Sequence, residues 1–158
     1  MLGASLFGFL SGIGMVMARL APELLERSHY RYWISDQVRF ADLDALGHVN
    51  NLAVGVYFEN VRVALYTQLF PDWPRLKQVF VLAHLEIDYL HELHYPAALD
   101  VGLRLQGFGE TSMRMVAAVF RQNTPAAISQ SVSVYIDDTT RRPVPIPPDL
   151  KQKVTDAA

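Results

Sequence analysis

The spacing of apolar residues changes period along the chain, and each change predicts an element. From Arg31 to Phe40 the residues RYWISDQVRF mix aromatic, β-branched and polar side chains, the composition of a partly exposed strand. A dense polar stretch, ADLDALGHVNN, follows, with Gly47 as its turn residue. From about Asn51 to Phe70 the apolar residues Val54, Tyr57, Phe58, Val61, Ala64, Leu65 and Leu69 recur at helical spacing. This predicts one long amphipathic helix, capped by Asn50 or Asn51 and stopped by Pro71 and Pro74.

The second half of the chain alternates with period two. Val81, Ala83, Leu85, Ile87 and Tyr89 are expected to face one way, and His84, Glu86 and Asp88 the other. The same alternation runs through Leu99 to Leu105, Met113 to Val119 and Ile128 to Ile136. Turn signals separate these strands at Tyr95-Pro96, Gly107 to Glu110 and Asn123 to Pro125. Pro143, Pro145, Pro147 and Pro148 are expected to end the sheet and leave a short polar tail. A strand, one long helix and about four further strands predict an α+β domain whose antiparallel sheet wraps or packs on that helix.

Composition narrows the partners. Of 158 residues, 51% are hydrophobic and 19% charged, as in one ordinary globular domain. Fourteen Lys plus Arg against sixteen Asp plus Glu leave no basic field for a nucleic acid backbone. The absence of Cys excludes disulfides, thiolate nucleophiles and Cys-based zinc or iron–sulfur sites. These averages hide an asymmetry, because every formal charge lies at Arg19 or later. Residues 1–18 therefore stand apart from a single domain at 19–158. The uncharged segment reads as a packed helix, a membrane anchor, a targeting segment or a start assigned ahead of Met15 or Met17. No basic residue precedes its apolar run and four glycines weaken it as a helix, which favours the first and last readings over a membrane role.

Candidate chemistry concentrates between Phe40 and Asn51, where Asp42, Asp44, Gly47, His48, Asn50 and Asn51 precede a helix start. Such a start offers unpaired backbone N–H groups and a partial positive charge, which can polarise a carbonyl. With a carboxylate and an imidazole beside it, acyl transfer needs no Ser or Cys nucleophile. Turn and capping roles account for the same residues, and spacing alone leaves both readings open. His91, Glu92 and His94, with His84 and Asp88 nearby, invite a metal reading. HELH is one residue short of the HExxH spacing and stands at a strand end, so turn histidines are the default and no metal is expected. Gly107-Phe108-Gly109 reads as a hairpin turn, and Arg141 and Arg142 as solvated loop cations.

Taken together, VRFADLDALGHVNNLAVGVYFENVR resembles the signature of the hotdog-fold acyl-thioester hydrolases, in the branch of the 4-hydroxybenzoyl-CoA and plant acyl-ACP thioesterases. The likeness continues through LEIDYLHELHYPAALDV, GETSMRM and YIDDTTRRPVPIP, covering about residues 31–150. It implies a long helix wrapped by a curved antiparallel sheet, and a homodimer or dimer of dimers with sites at the subunit interface. It further implies a cytoplasmic enzyme acting on an acyl-CoA or acyl-ACP thioester without metal or organic cofactor. By this resemblance Asp44 matches the catalytic base or nucleophile, and Asn51 the backbone N–H that meets the thioester oxygen. His48 matches the histidine of the plant motif. Leu46 stands where that motif carries Asn, so His48 is expected to be a positioning or auxiliary group. Glu59 matches a common acidic residue of structural or supporting role, and Tyr57 is expected near the acyl chain. Two rivals remain: a hotdog dehydratase or hydratase, and a non-catalytic acyl-thioester binding protein.

Overall fold

The structure, a computed structural model, describes Gly14, residues 19–72 and residues 76–158. The readings placed on residues 1–13 and 15–18, and on Pro74, lie outside the described residues. Helix α1 (Asn51–Leu69) forms where the helical period predicted it, and buries Val54, Tyr57, Phe58, Val61, Leu65 and Tyr66. Asn50 is its cap, accepting the Leu52 N–H at 2.8 Å. The last turn closes through the Phe70 N–H on the Tyr66 carbonyl, and Pro71 cannot continue the ladder. Among the described residues, no helix is long and apolar enough to cross a membrane.

Five strands form one antiparallel sheet: β1 (Tyr32–Gln37), β2 (Gln78–Tyr89), β3 (Ala98–Phe108), β4 (Ser112–Arg121) and β5 (Thr124–Asp137). Their spatial order is β1-β3-β4-β5-β2, so β1 and β2 are the edges. The turn between β4 and β5 is shorter than the sequence suggested: Gln122 and Asn123 suffice, with Gln122 at φ +57°. Leu99, Val101 and Leu103 of β3 and Met113, Met115 and Val119 of β4 are buried in the cluster that holds the α1 side chains. The chain thus has the hotdog architecture, a curved antiparallel sheet around one main helix.

Three expectations need correction. Alternation along β2 is broken by a register shift between Leu82 and His84. Phe80 and Leu82, opposite Tyr135 and Ser133, therefore join Leu85 and Ile87 on the helix side, and Val81 does not. In β5 the regular apolar stripe at Ile128 to Ile136 lies on the outer face. The helix side carries Ser129, Ser131 and Ser133, small enough to fit beneath large α1 side chains such as Tyr66, whose hydroxyl reaches Ser133 Oγ at 3.2 Å. The polar tail is in fact a second helix, α2 (Pro148–Ala157). Pro148 fits its first turn, Asp149 complements the helix N-terminus, and Leu150 and Val154, one turn apart, bury in the core.

Ahead of β1, short 3-10 turns at Pro22–Leu25 and Arg27–His29 lay a strap across the outer face of the sheet. Leu24 and Tyr30 bury there with Leu90, Val116, Phe120 and Ile128. Arg27 stacks 4.5 Å from the Trp33 ring centroid and bonds Asp100 at 3.0 Å. Gly102 lies under this strap, where a Cβ would stand 2.8 Å from both Trp33 Cη2 and Tyr30 Cβ. Gly102→Ala is expected to lower stability by about 1–3 kcal/mol through overpacking, read as a reduced denaturant midpoint with an unchanged slope.

Candidate active site

The loop before α1 holds two carboxylates in unlike surroundings. Asp42 ends a 3-10 turn, Phe40–Asp42, and is buried. Its Oδ2 accepts the Tyr57 hydroxyl at 2.6 Å and the Arg39 backbone N–H at 2.8 Å, while the Arg39 guanidinium stands 3.1 Å away. Burial pushes its pKa up, but these hydrogen bonds and the Arg39 charge outweigh burial and hold it below the ordinary carboxylate value. Burial and the Asp42 contact in turn push the Tyr57 hydroxyl far upward. The Asp42 carbonyl also accepts the Asn50 N–H at 2.8 Å, closing the loop at the helix start.

Asp44 is tied differently. Its Oδ1 accepts the backbone N–H groups of Leu46 at 2.8 Å and His48 at 3.2 Å, and its own N–H donates to the His48 carbonyl at 2.8 Å. Gly47, at φ +79°, permits the tight return. One carboxylate oxygen organises the turn; Oδ2 makes no hydrogen bond among the described residues. Asp44 borders a cavity of about 370 Å³, together with His48, Asn51, Tyr89 and Glu92 and an apolar side that includes Val54 and Leu93.

At the helix start, the N–H of Leu52 goes to the Asn50 side chain, and those of Ala53 and Val54 go to the Asn50 carbonyl. The Asn51 N–H is left as the first-turn donor without an acceptor among the described residues, and Asn51 lines the cavity that Asp44 also borders. Tyr89 donates its hydroxyl to the Asn51 carbonyl at 3.1 Å, fastening this helix start to the end of β2.

The other expected residues are placed less simply. His48 meets Asp44 through its backbone, while its imidazole Nε2 lies 3.5 Å from Glu92 Oε2. Tyr57 is fully buried and is not among the residues lining the cavity; its hydroxyl serves Asp42. Glu59 is exposed in a second groove of about 390 Å³ between α1 and β2, with Leu52, Val56, Arg62 and Leu82. Arg141 pairs with Asp138 at 2.9 Å on an exposed loop and borders neither space. Sequence reasoning missed Tyr89 and Glu92 as neighbours of the site. Tyr89 carried a signal in its stripe along β2, whereas Glu92 had only its place in HELH.

The chain is similar to known proteins. A thioesterase from Thermus thermophilus, solved with coenzyme A and zinc, is 33% identical, with a TM-score of 0.74 over 81% of this chain and 94% of that one. The PA5185 protein of Pseudomonas aeruginosa PAO1 shares the fold, with a TM-score of 0.77 at 23% identity over 84% and 94% of the two chains. The uncharacterized protein YsmA of Bacillus subtilis strain 168 is 25% identical over 89 residues, 56% of this chain; the match spans 60% of that curated relative's length. The description of the thioesterase-like superfamily matches residues 38–154, from just after β1 through the Asp44 loop, α1 and strands β2 to β5 into α2. The chain belongs to the thioesterase-like superfamily.

Proposed function

We propose that the protein hydrolyses an acyl thioester to a carboxylic acid and a free thiol. The observation that carries this reading is one cavity lined by both Asp44 and Asn51, where among the described residues Asp44 Oδ2 makes no hydrogen bond and the Asn51 N–H has no acceptor. The thioester carbonyl would accept the Asn51 N–H, where the positive end of α1 favours the developing oxyanion. Asp44 would then remove a proton from the attacking water, or attack the carbonyl itself. The acyl group would occupy the apolar side, near Val54 and Leu93 rather than Tyr57. Superfamily membership supports thioesterase activity in general, and the coenzyme A held by the Thermus relative favours a CoA ester over an acyl carrier protein.

A second copy of the chain belongs to this proposal. The twelve-residue edge strand β2 and the α1 stripe of Leu52, Val56 and Val63 leave apolar surface in water, with Leu52 82% and Leu82 45% exposed. Pairing across that edge would cover both and bring Glu59 to the interface.

The test is hydrolysis of a panel of acyl-CoAs, varied in chain length and aromaticity, by the purified protein. Release of free CoA and acid from at least one member is the expected result. Hydration of crotonyl-CoA without acid release would identify a hydratase instead, and tight binding without turnover across the panel a non-catalytic protein.

A further inference from the structure

We propose that His48, Glu92 and His94 form a binding site for one divalent transition-metal ion of the zinc class at the rim of this cavity. The ligands come from two segments that the sequence separates by more than forty positions. Val49 and Leu93 are buried, and the Val49 N–H donates to the Leu93 carbonyl at 2.9 Å. Their neighbours in sequence, His48 on one segment and Glu92 and His94 on the other, remain partly or largely exposed.

Glu92 Oε2 lies 3.5 Å from His48 Nε2 and 3.8 Å from His94 Nε2, and the imidazole rings meet edge to face at 4.9 Å. One ligand atom from each residue falls within 4.8 Å of the others. A tetrahedral zinc ion with bonds near 2.0–2.1 Å needs ligand separations of about 3.3 Å, so small side-chain rotations complete the site. Two neutral imidazoles and one carboxylate suit zinc, cobalt or nickel, whereas magnesium and calcium require more oxygen ligands. Side-chain exposures of 34% for His48, 45% for Glu92 and 48% for His94 let an ion enter and leave a fourth position for water.

HELH does not act as one unit, because its two histidines diverge, as its place at a strand end suggested. The His91 ring is engaged at Nδ1 with the Pro125 carbonyl at 2.8 Å, and His94 turns to His48 instead. The third ligand comes from the loop that carries Asp44, so a bound ion would fasten that loop to the connection between β2 and β3. This inference rests on the ligand geometry and not on the thioesterase reading.

The experiment is calorimetric titration of the untagged, metal-stripped full chain with Zn²⁺, beside thermal unfolding and the visible spectrum of the Co²⁺ form. One saturating ion per chain is expected, with a Tm rise of roughly 5–10 °C at 100 times Kd. Glu92→Gln and His94→Ala, both at exposed positions, should each weaken binding by more than about tenfold and change the Co²⁺ ligand-field bands. His84→Ala, on the exposed side of β2, should bind as the parent does. Absence of saturable binding in the parent, or equal binding by the Glu92 and His94 variants, would overturn the proposal. Neither result depends on whether a thioester is hydrolysed.

Discussion

Asp44→Asn is expected to lower kcat for the best acyl-CoA by about 100- to 10,000-fold, the range for loss of a positioned general base. The substitution isolates chemistry from folding. The amide oxygen of Asn can still accept the Leu46 and His48 N–H groups that Oδ1 holds, so the turn through Gly47 should persist. Near-parental Tm with lost turnover is therefore the expected pair of results; near-parental turnover would remove Asp44 from the chemistry. A single turnover in H₂¹⁸O separates its two possible roles. If Asp44 activates water, the product acid carries the label. If Asp44 attacks, the thiolate leaves an acyl-aspartyl anhydride; water then attacks the aspartyl carbonyl, so the released acid takes an unlabelled oxygen from Asp44.

The largest expected effect on stability falls on the other acid. Asp42→Ala leaves the buried Tyr57 hydroxyl without its acceptor and frees the Arg39 guanidinium, at a cost of about 3 kcal/mol. For a chain of this length that corresponds to a Tm loss of roughly 6–12 °C. The same group makes stability depend on pH. Its folded pKa lies below the unfolded value, so its contribution is fully present above the unfolded value and is lost as pH falls through the folded one. Acid titration of the parent should thus show a component of stability disappearing below about pH 4, and Asp42→Ala should lack it. Retention of that component in the variant would assign it elsewhere.

How much of this was legible beforehand follows from what each signal measures. The α1 stripe was readable because a helix buried on one face must repeat its apolar residues, and Val54, Tyr57, Val61 and Leu65 do so. Strands β3 and β4 were likewise readable. The sides of β2 were not, since a bulge changes the parity of every later residue and leaves no mark on local composition. Nor was the helix-facing side of β5, because a central strand is covered on both faces and its serines were chosen by the bulk of α1. Helix α2 was obscured by the three prolines before it and by Pro148 at its first position, although Leu150 and Val154 already stood one turn apart. At the site, the resemblance picked out Asp44 from a pair of acids that spacing alone could not rank. Only the folded chain shows Asp42 spent on Tyr57 and Arg39, and only contacts across the fold bring Glu92 and His94 to His48.

The strap ahead of β1 bears on where this domain can be cut. The superfamily match begins at residue 38, yet Leu24 and Tyr30 already complete the outer surface of the sheet. A chain begun at Arg31 would keep β1, the Asp44 loop and α1 but present Val116, Ala118, Phe120 and Ile128 to water as one contiguous oily face. Its handicap would be colloidal rather than catalytic, with sticking between molecules preceding any loss at the Asp44 cavity.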